Sequence, residues 1–116
     1  MTDDIVQWLG AQLDEDKEFT QDCITGAGRW RAMGDSVLSD ANEEIVTVTS
    51  MQNAEHIARH DPARVLREID AKRQLLADLV HAAESLGPEW FGDRALHLLA
   101  LPYADRPGYD AERWTP

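Results

Sequence analysis

NAEHIARHDPARVLREIDAKRQLL, Asn53 to Leu76, reads as a short helix, a sharp Asp-Pro break and the opening of a long amphipathic helix. The spacing predicts the short helix over Gln52–His60, with Asn53 near its start. Asp61 can cap the next helix. Pro62 fits its first position, where the missing N–H costs nothing. Val65, Ile69, Leu76, Leu79, Val80 and Ala83 then trace one face through to Leu86, and Gly87 ends the helix. Arg64, Arg67, Glu68, Lys72, Arg73 and Asp78 occupy the other faces, with Glu68 and Lys72 four apart in the favourable order. So long an apolar stripe needs something to pack against.

Upstream, a helix is expected from about Asp3 to Asp22, capped by Thr2 or Asp3. Ile5, Leu9 and Leu13 recur at four-residue spacing, with Val6 and Trp8 alongside. Gly10 weakens this helix by about 1 kcal/mol relative to Ala, which leaves room for a kink there. The glycines of Thr25-Gly26-Ala27-Gly28 mark a turn. Arg29 to Met33 alternates as a half-buried strand does, Val37-Leu38 is a short strand, and Glu43–Thr49 is the clearest strand in the chain. These make a two- or three-stranded antiparallel sheet, too small to be stable without a helix on one face.

Downstream, Pro88 opens a last helix whose face is Trp90, Phe91, Ala95, Leu98 and Leu99, broadened by Leu96 and Leu101, and Pro102 stops it. The tail from Tyr103 to Pro116 holds two prolines, two tyrosines and Trp114; it is too polar for a helix and is expected to lie extended against the body. The fold class expected is therefore α+β in one domain over residues 1–116: an N-terminal helix, a small sheet, a long amphipathic helix, a C-terminal helix and an extended tail from about residue 103.

Composition excludes several function classes. The chain has 116 residues and a formal net charge of −11. Residues 1–25 hold seven acids and one lysine, above all Asp14-Glu15-Asp16 with Glu18. This charge opposes direct nucleic-acid binding and anionic membrane surfaces. No apolar run approaches the roughly 20 residues of a membrane span. The N-terminus lacks a basic region followed by an apolar core, so no secretory signal is expected. Cys23 is the only cysteine, which makes an intrachain disulfide impossible and a reducing cytosol the expected compartment.

The candidate chemistry competes with plainer explanations. His56 and His60 stand four apart on a helix and could face one metal, but the HExxH pattern is absent. The plainer explanation puts His60 near a helix C-terminus, where it suits the dipole. Cys23 reads as a small buried hydrophobe rather than a nucleophile, because its neighbour Asp22 is an acid and nothing near it in sequence would activate a thiolate. Gly26-Ala27-Gly28 lacks the Lys-Ser/Thr of a phosphate loop and precedes a strand. The acids Asp14, Glu15, Asp16 and Glu18 lack the spacing of a calcium loop. They suit a basic protein partner or imitation of a phosphate row. Trp114 either pins the tail or anchors a partner.

HIARHDPARVLREIDAKRQLL (56–76), LHLLALPYADRPGY (96–109), ERWTP (112–116) and IVQWLGAQLDEDKE (5–18) together resemble an uncharacterised actinobacterial and actinophage family, known from Streptomyces, its relatives and their phages. Members usually carry a Thr-Pro-Gly-Pro-Trp turn. Thr25-Gly26-Ala27-Gly28-Arg29-Trp30 takes its place here, so the turn is altered and the tryptophan kept. A fainter similarity runs to the Ead-like accessory proteins of temperate phages, through Asp61-Pro62-Ala63-Arg64-Val65-Leu66. The resemblance implies a phage or mobile-element setting and transfers no catalytic site and no cofactor.

The function expected is that of a noncatalytic, acidic interaction protein, a phage or prophage accessory factor binding a host or phage protein. The alternatives are an anti-defence inhibitor or DNA mimic that occupies a nucleic-acid-binding groove, and a small metal-dependent enzyme using His56 and His60. The partner-binding candidates are Asp14, Glu15, Asp16 and Glu18 for a basic partner, Trp90, Leu96 and Leu101 for homodimerisation, and Trp114.

Overall fold

A computed structural model describes residues 2–87 and 92–116. The described elements are α1 (Thr2–Asp22), β1 (Trp30–Met33), β2 (Ser36–Ser39), β3 (Glu44–Thr47), α2 (Met51–Arg59), α3 (Pro62–Leu86), α4 (Gly92–Ala100), a 3-10 turn (Leu101–Tyr103) and α5 (Ala111–Trp114). The class is α+β, with an N-terminal helix, a long helix, a C-terminal helix and one antiparallel sheet. Two compact units divide the chain: Lys17–Ile69, and Met1–Asp16 with Asp70–Pro116.

The sheet unit, Lys17–Ile69, has strand order β1-β2-β3, both pairings antiparallel. β2 lies in the middle, and its inward residues Val37 and Ser39 are fully buried. Val37 meets Ala54 and Ala58 of α2, and Trp30, Ala32, Ile45, Val46, Val48 and Ile57 close around them. Alternation in β1 follows the sequence reading, with Trp30 and Ala32 inward and Arg31 and Met33 exposed. The register slips between Val37 and Leu38, which pair with Val46 and Glu44, so Ile45 is the extra residue of a bulge. Ser39 is buried without penalty because its hydroxyl accepts from the Ala41 and Glu43 amides, 3.2 Å each.

Local chemistry sets the helix starts. Ser50 caps α2 by accepting from the Asn53 amide at 3.1 Å, which puts Asn53 in the first turn. The Asp61 carboxylate has two tasks. One oxygen accepts from the Arg64 amide at 2.8 Å and caps α3. The other accepts from the Trp30 amide at 3.1 Å and ties the start of β1 to that cap. The Gly28 carbonyl accepts from the Ala63 amide at 2.9 Å. Gly28 has φ +78°, and a Cβ there would press to 3.3 Å from the Ala63 nitrogen, so this turn depends on glycine.

The helical unit, Met1–Asp16 with Asp70–Pro116, is built on Ile5, Leu9, Leu13, Leu76, Leu96, Ala100, Tyr103 and Trp114, all buried. α1 runs unbroken past Gly10, from Thr2 to Asp22. Two expectations are corrected here and in the sheet unit. Cys23 is exposed, not buried: it falls just beyond the end of α1. The tail is not extended. Pro102 continues α4 as a 3-10 turn, and residues 111–114 form α5, capped by Asp110 accepting from the Arg113 amide at 3.1 Å.

Candidate functional site

The sequence-derived candidates do not converge. Trp90 lies outside the described residues. Leu96, at 2% exposure, and Trp114, at 5%, belong to the core of the helical unit and present no surface to a partner. Their burial follows from α4 and the tail packing inward, which apolar spacing alone does not distinguish from display. Leu101 is 45% exposed and remains available.

Trp114 pins the tail. Its ring centroid is 5.3 Å from that of Trp8 and 5.7 Å from that of Tyr109, and Trp8 lies 5.7 Å from Tyr109 and 6.4 Å from Tyr103. The Trp8 indole N–H donates to the Pro107 carbonyl at 3.0 Å. Gly108, at φ +88°, is where the chain passes closest, for a Cβ would come within 2.7 Å of that nitrogen.

Two of the four clustered carboxylates are already partnered. Asp14 pairs with Arg73 of α3. Asp16 pairs with Arg106 at 2.8 Å, and that guanidinium also reaches Gln12 at 3.3 Å and stacks 4.8 Å from the Tyr103 ring centroid. The hydrogen bond to Asp16 holds the Arg106 pKa above its ordinary value. Glu15 and Glu18 are exposed. The acidic run is therefore partly a structural clasp.

His56 and His60 are exposed, with ring centroids 4.5 Å apart, and His60 Nδ1 lies 2.8 Å from the His56 carbonyl oxygen. Among the described residues no group of three or more His, Cys, Asp or Glu side chains is arranged to hold a metal ion. Also among them, no helix is long and apolar enough to cross a membrane.

The feature that residue patterns did not reveal is a groove in the helical unit. Val6, Gly10 and Leu13 of α1 form one wall, and Leu76, Ala77 and Val80 of α3 form the other. It is open to solvent and encloses about 410 Å³. Gly10 makes the hollow: a Cβ placed there would touch nothing within 4 Å. Arg73, held by Asp14, lines the groove, and further along α3 so do His81 and Glu84. The signal in sequence was a glycine within an otherwise apolar helical edge, opposite an alanine on a helix 67 residues later, and only the fold brings the two together.

The profile of a protein family of unknown function, DUF6221, matches residues 2–116. The chain belongs to DUF6221. No curated protein and no solved structure matches it. The DUF6221 match spans both units, so the sheet with its Asp61 clasp and the groove-bearing helices fall within one family pattern.

Proposed function

We propose that this DUF6221 chain is a noncatalytic interaction protein, an accessory factor of phage or prophage origin that binds a host or phage protein. The observation that carries this reading is the open apolar groove on α1 and α3 of the helical unit. An apolar concavity between two helices can receive the apolar side chains of a partner. The phage setting rests on the sequence resemblance, and the cytosol as compartment rests on the single cysteine.

The same geometry favours the groove over the acidic run as the place of contact. Imitation of a phosphate row needs carboxylates free to face a basic partner, whereas Asp14 and Asp16 each hold an arginine of their own chain. Affinity capture from an actinobacterial lysate, read by mass spectrometry, tests the proposal. A partner retained by the wild-type chain and lost on Gly10→Leu with Ala77→Leu, which fills the groove, supports it. Equal recovery by both proteins contradicts it. Loss on Glu15→Gln with Glu18→Gln, with the filled variant unaffected, transfers the reading to the inhibitor or DNA-mimic alternative.

A further inference from the structure

We infer that the occupant of the α1–α3 groove is a cationic amphipathic helix of a partner protein; the inference rests on the groove being the binding surface. Shape selects a helix. The lining runs from Arg73 to Glu84 on α3, twelve residues, whose eleven steps span about 16 Å at the α-helical rise. Three turns of a third helix match that length, and a seam between two packed helices is what the ridges of another helix fill. Gly10 and Ala77, small residues facing the seam from its two walls, let a backbone approach closely. An extended strand would leave its amide and carbonyl groups unpaired there, because both walls are helices whose own backbone groups are satisfied.

Charge selects a cationic helix. The helical unit holds thirteen acidic and five basic residues, a net charge of −8 out of the −11 for the whole chain. Four of those five bases are engaged within the unit: Arg73 by Asp14, Arg106 by Asp16, Arg113 by Asp4 and Asp110, and Lys72 by the Tyr103 hydroxyl. Glu84 lines the groove and is exposed. An apolar seam on a unit of so negative a net charge, with Glu84 on its lining and Arg73 already engaged by Asp14, attracts a helix with leucine-type residues on one face and lysine or arginine on its flanks. The same field opposes a second copy of this chain, whose groove-bearing unit carries the identical negative charge.

The test uses the full chain and a fluorescently labelled amphipathic peptide of about 14 residues, enough for four helical turns, built from Leu and Lys. Two comparison peptides are one with Glu in place of Lys, and one of the same Leu/Lys composition in scrambled order. Fluorescence anisotropy is expected to show saturable binding of the ordered Lys peptide. Affinity should fall by about tenfold or more for either comparison peptide, and equally for the Gly10→Leu, Ala77→Leu protein with its circular dichroism unchanged. If that double variant does not fold, Glu84→Lys, an exposed change, is expected to weaken the Lys peptide while leaving the melting temperature in place. Equal binding of the Glu peptide or of the scrambled peptide overturns the inference, as does indifference to both groove changes. A concentration-dependent dimer of the wild-type chain that the filled variant abolishes overturns it too, by making a second copy the occupant. If lysate capture is lost on filling but no Lys peptide binds, the cationic-helix inference falls and the interaction reading stands. If capture is indifferent to filling, the groove reading itself falls.

Discussion

Three residues of the helical unit separate what a side chain does from what its type suggests. Gly10 and Gly108 are both glycines, yet the first faces open space and the second faces the Trp8 indole with φ +88°. Gly10→Ala is therefore expected to stabilise the chain by about 1 kcal/mol, the helix-propensity difference. Gly108→Ala is expected to destabilise it by about 1–3 kcal/mol, through a left-handed backbone and a close contact. Urea denaturation followed by tryptophan fluorescence checks both signs. The Tyr109 hydroxyl is buried without a hydrogen-bond partner. Tyr109→Phe should leave stability unchanged or raise it by about 1 kcal/mol, since it removes an unpaired polar atom and keeps the ring. The Gly10 penalty was legible in the sequence, whereas the roles of Gly108 and Tyr109 were not. A glycine's role depends on φ and on which side chain passes nearby, and Trp8 is a hundred positions from Gly108.

At the scale of elements, the reading was clearest where one local rule decided the outcome. Asp61-Pro62 placed the start of α3 correctly because cap and first-position chemistry act within four residues. The β-branched run gave β3, though pairing kept only Glu44–Thr47 of the expected stretch. The tail was misjudged. Its polarity argued against helix, but Asp110 caps one turn and Trp114 anchors it among aromatic rings, so tertiary packing overrode propensity. Two outcomes follow for these elements. Asp61→Ala should cost about 1–2 kcal/mol, because it uncaps α3 and strips the Trp30 amide of its acceptor; Asp61→Asn should recover part of that loss. The second concerns pH. The Arg113 side chain and backbone amide hold the Asp110 pKa below its ordinary value. A depressed carboxylate contributes its stabilisation above the unfolded value, near 4, and loses it as pH falls below that through the folded value. Tryptophan emission should thus report loosening of the tail in acid, beginning below about pH 4, and Asp110→Asn should flatten that transition.

For the whole molecule, charge and shape are distributed unequally. Most of the net charge belongs to the helical unit, which also carries the groove, and the sheet unit is closer to neutral. The acidic character was legible in composition, but its organisation was not. Asp14 finds its arginine 59 residues away, and no local pattern announces that pairing. Candidates chosen for apolar bulk, Leu96 and Trp114, went to the core, because bulk marks burial as readily as display. Binding to the groove should also weaken as salt is raised, since the unit's negative charge is screened within about 8–10 Å at ordinary ionic strength. A nitrogen-15 NMR titration of the full chain with the Leu/Lys peptide tests most directly where a partner is held. The expected result is shifts concentrated at Val6, Gly10, Leu13, Leu76, Ala77 and Val80. Shifts confined to Glu15, Glu18 and their neighbours, or spread without focus over the surface, would contradict it.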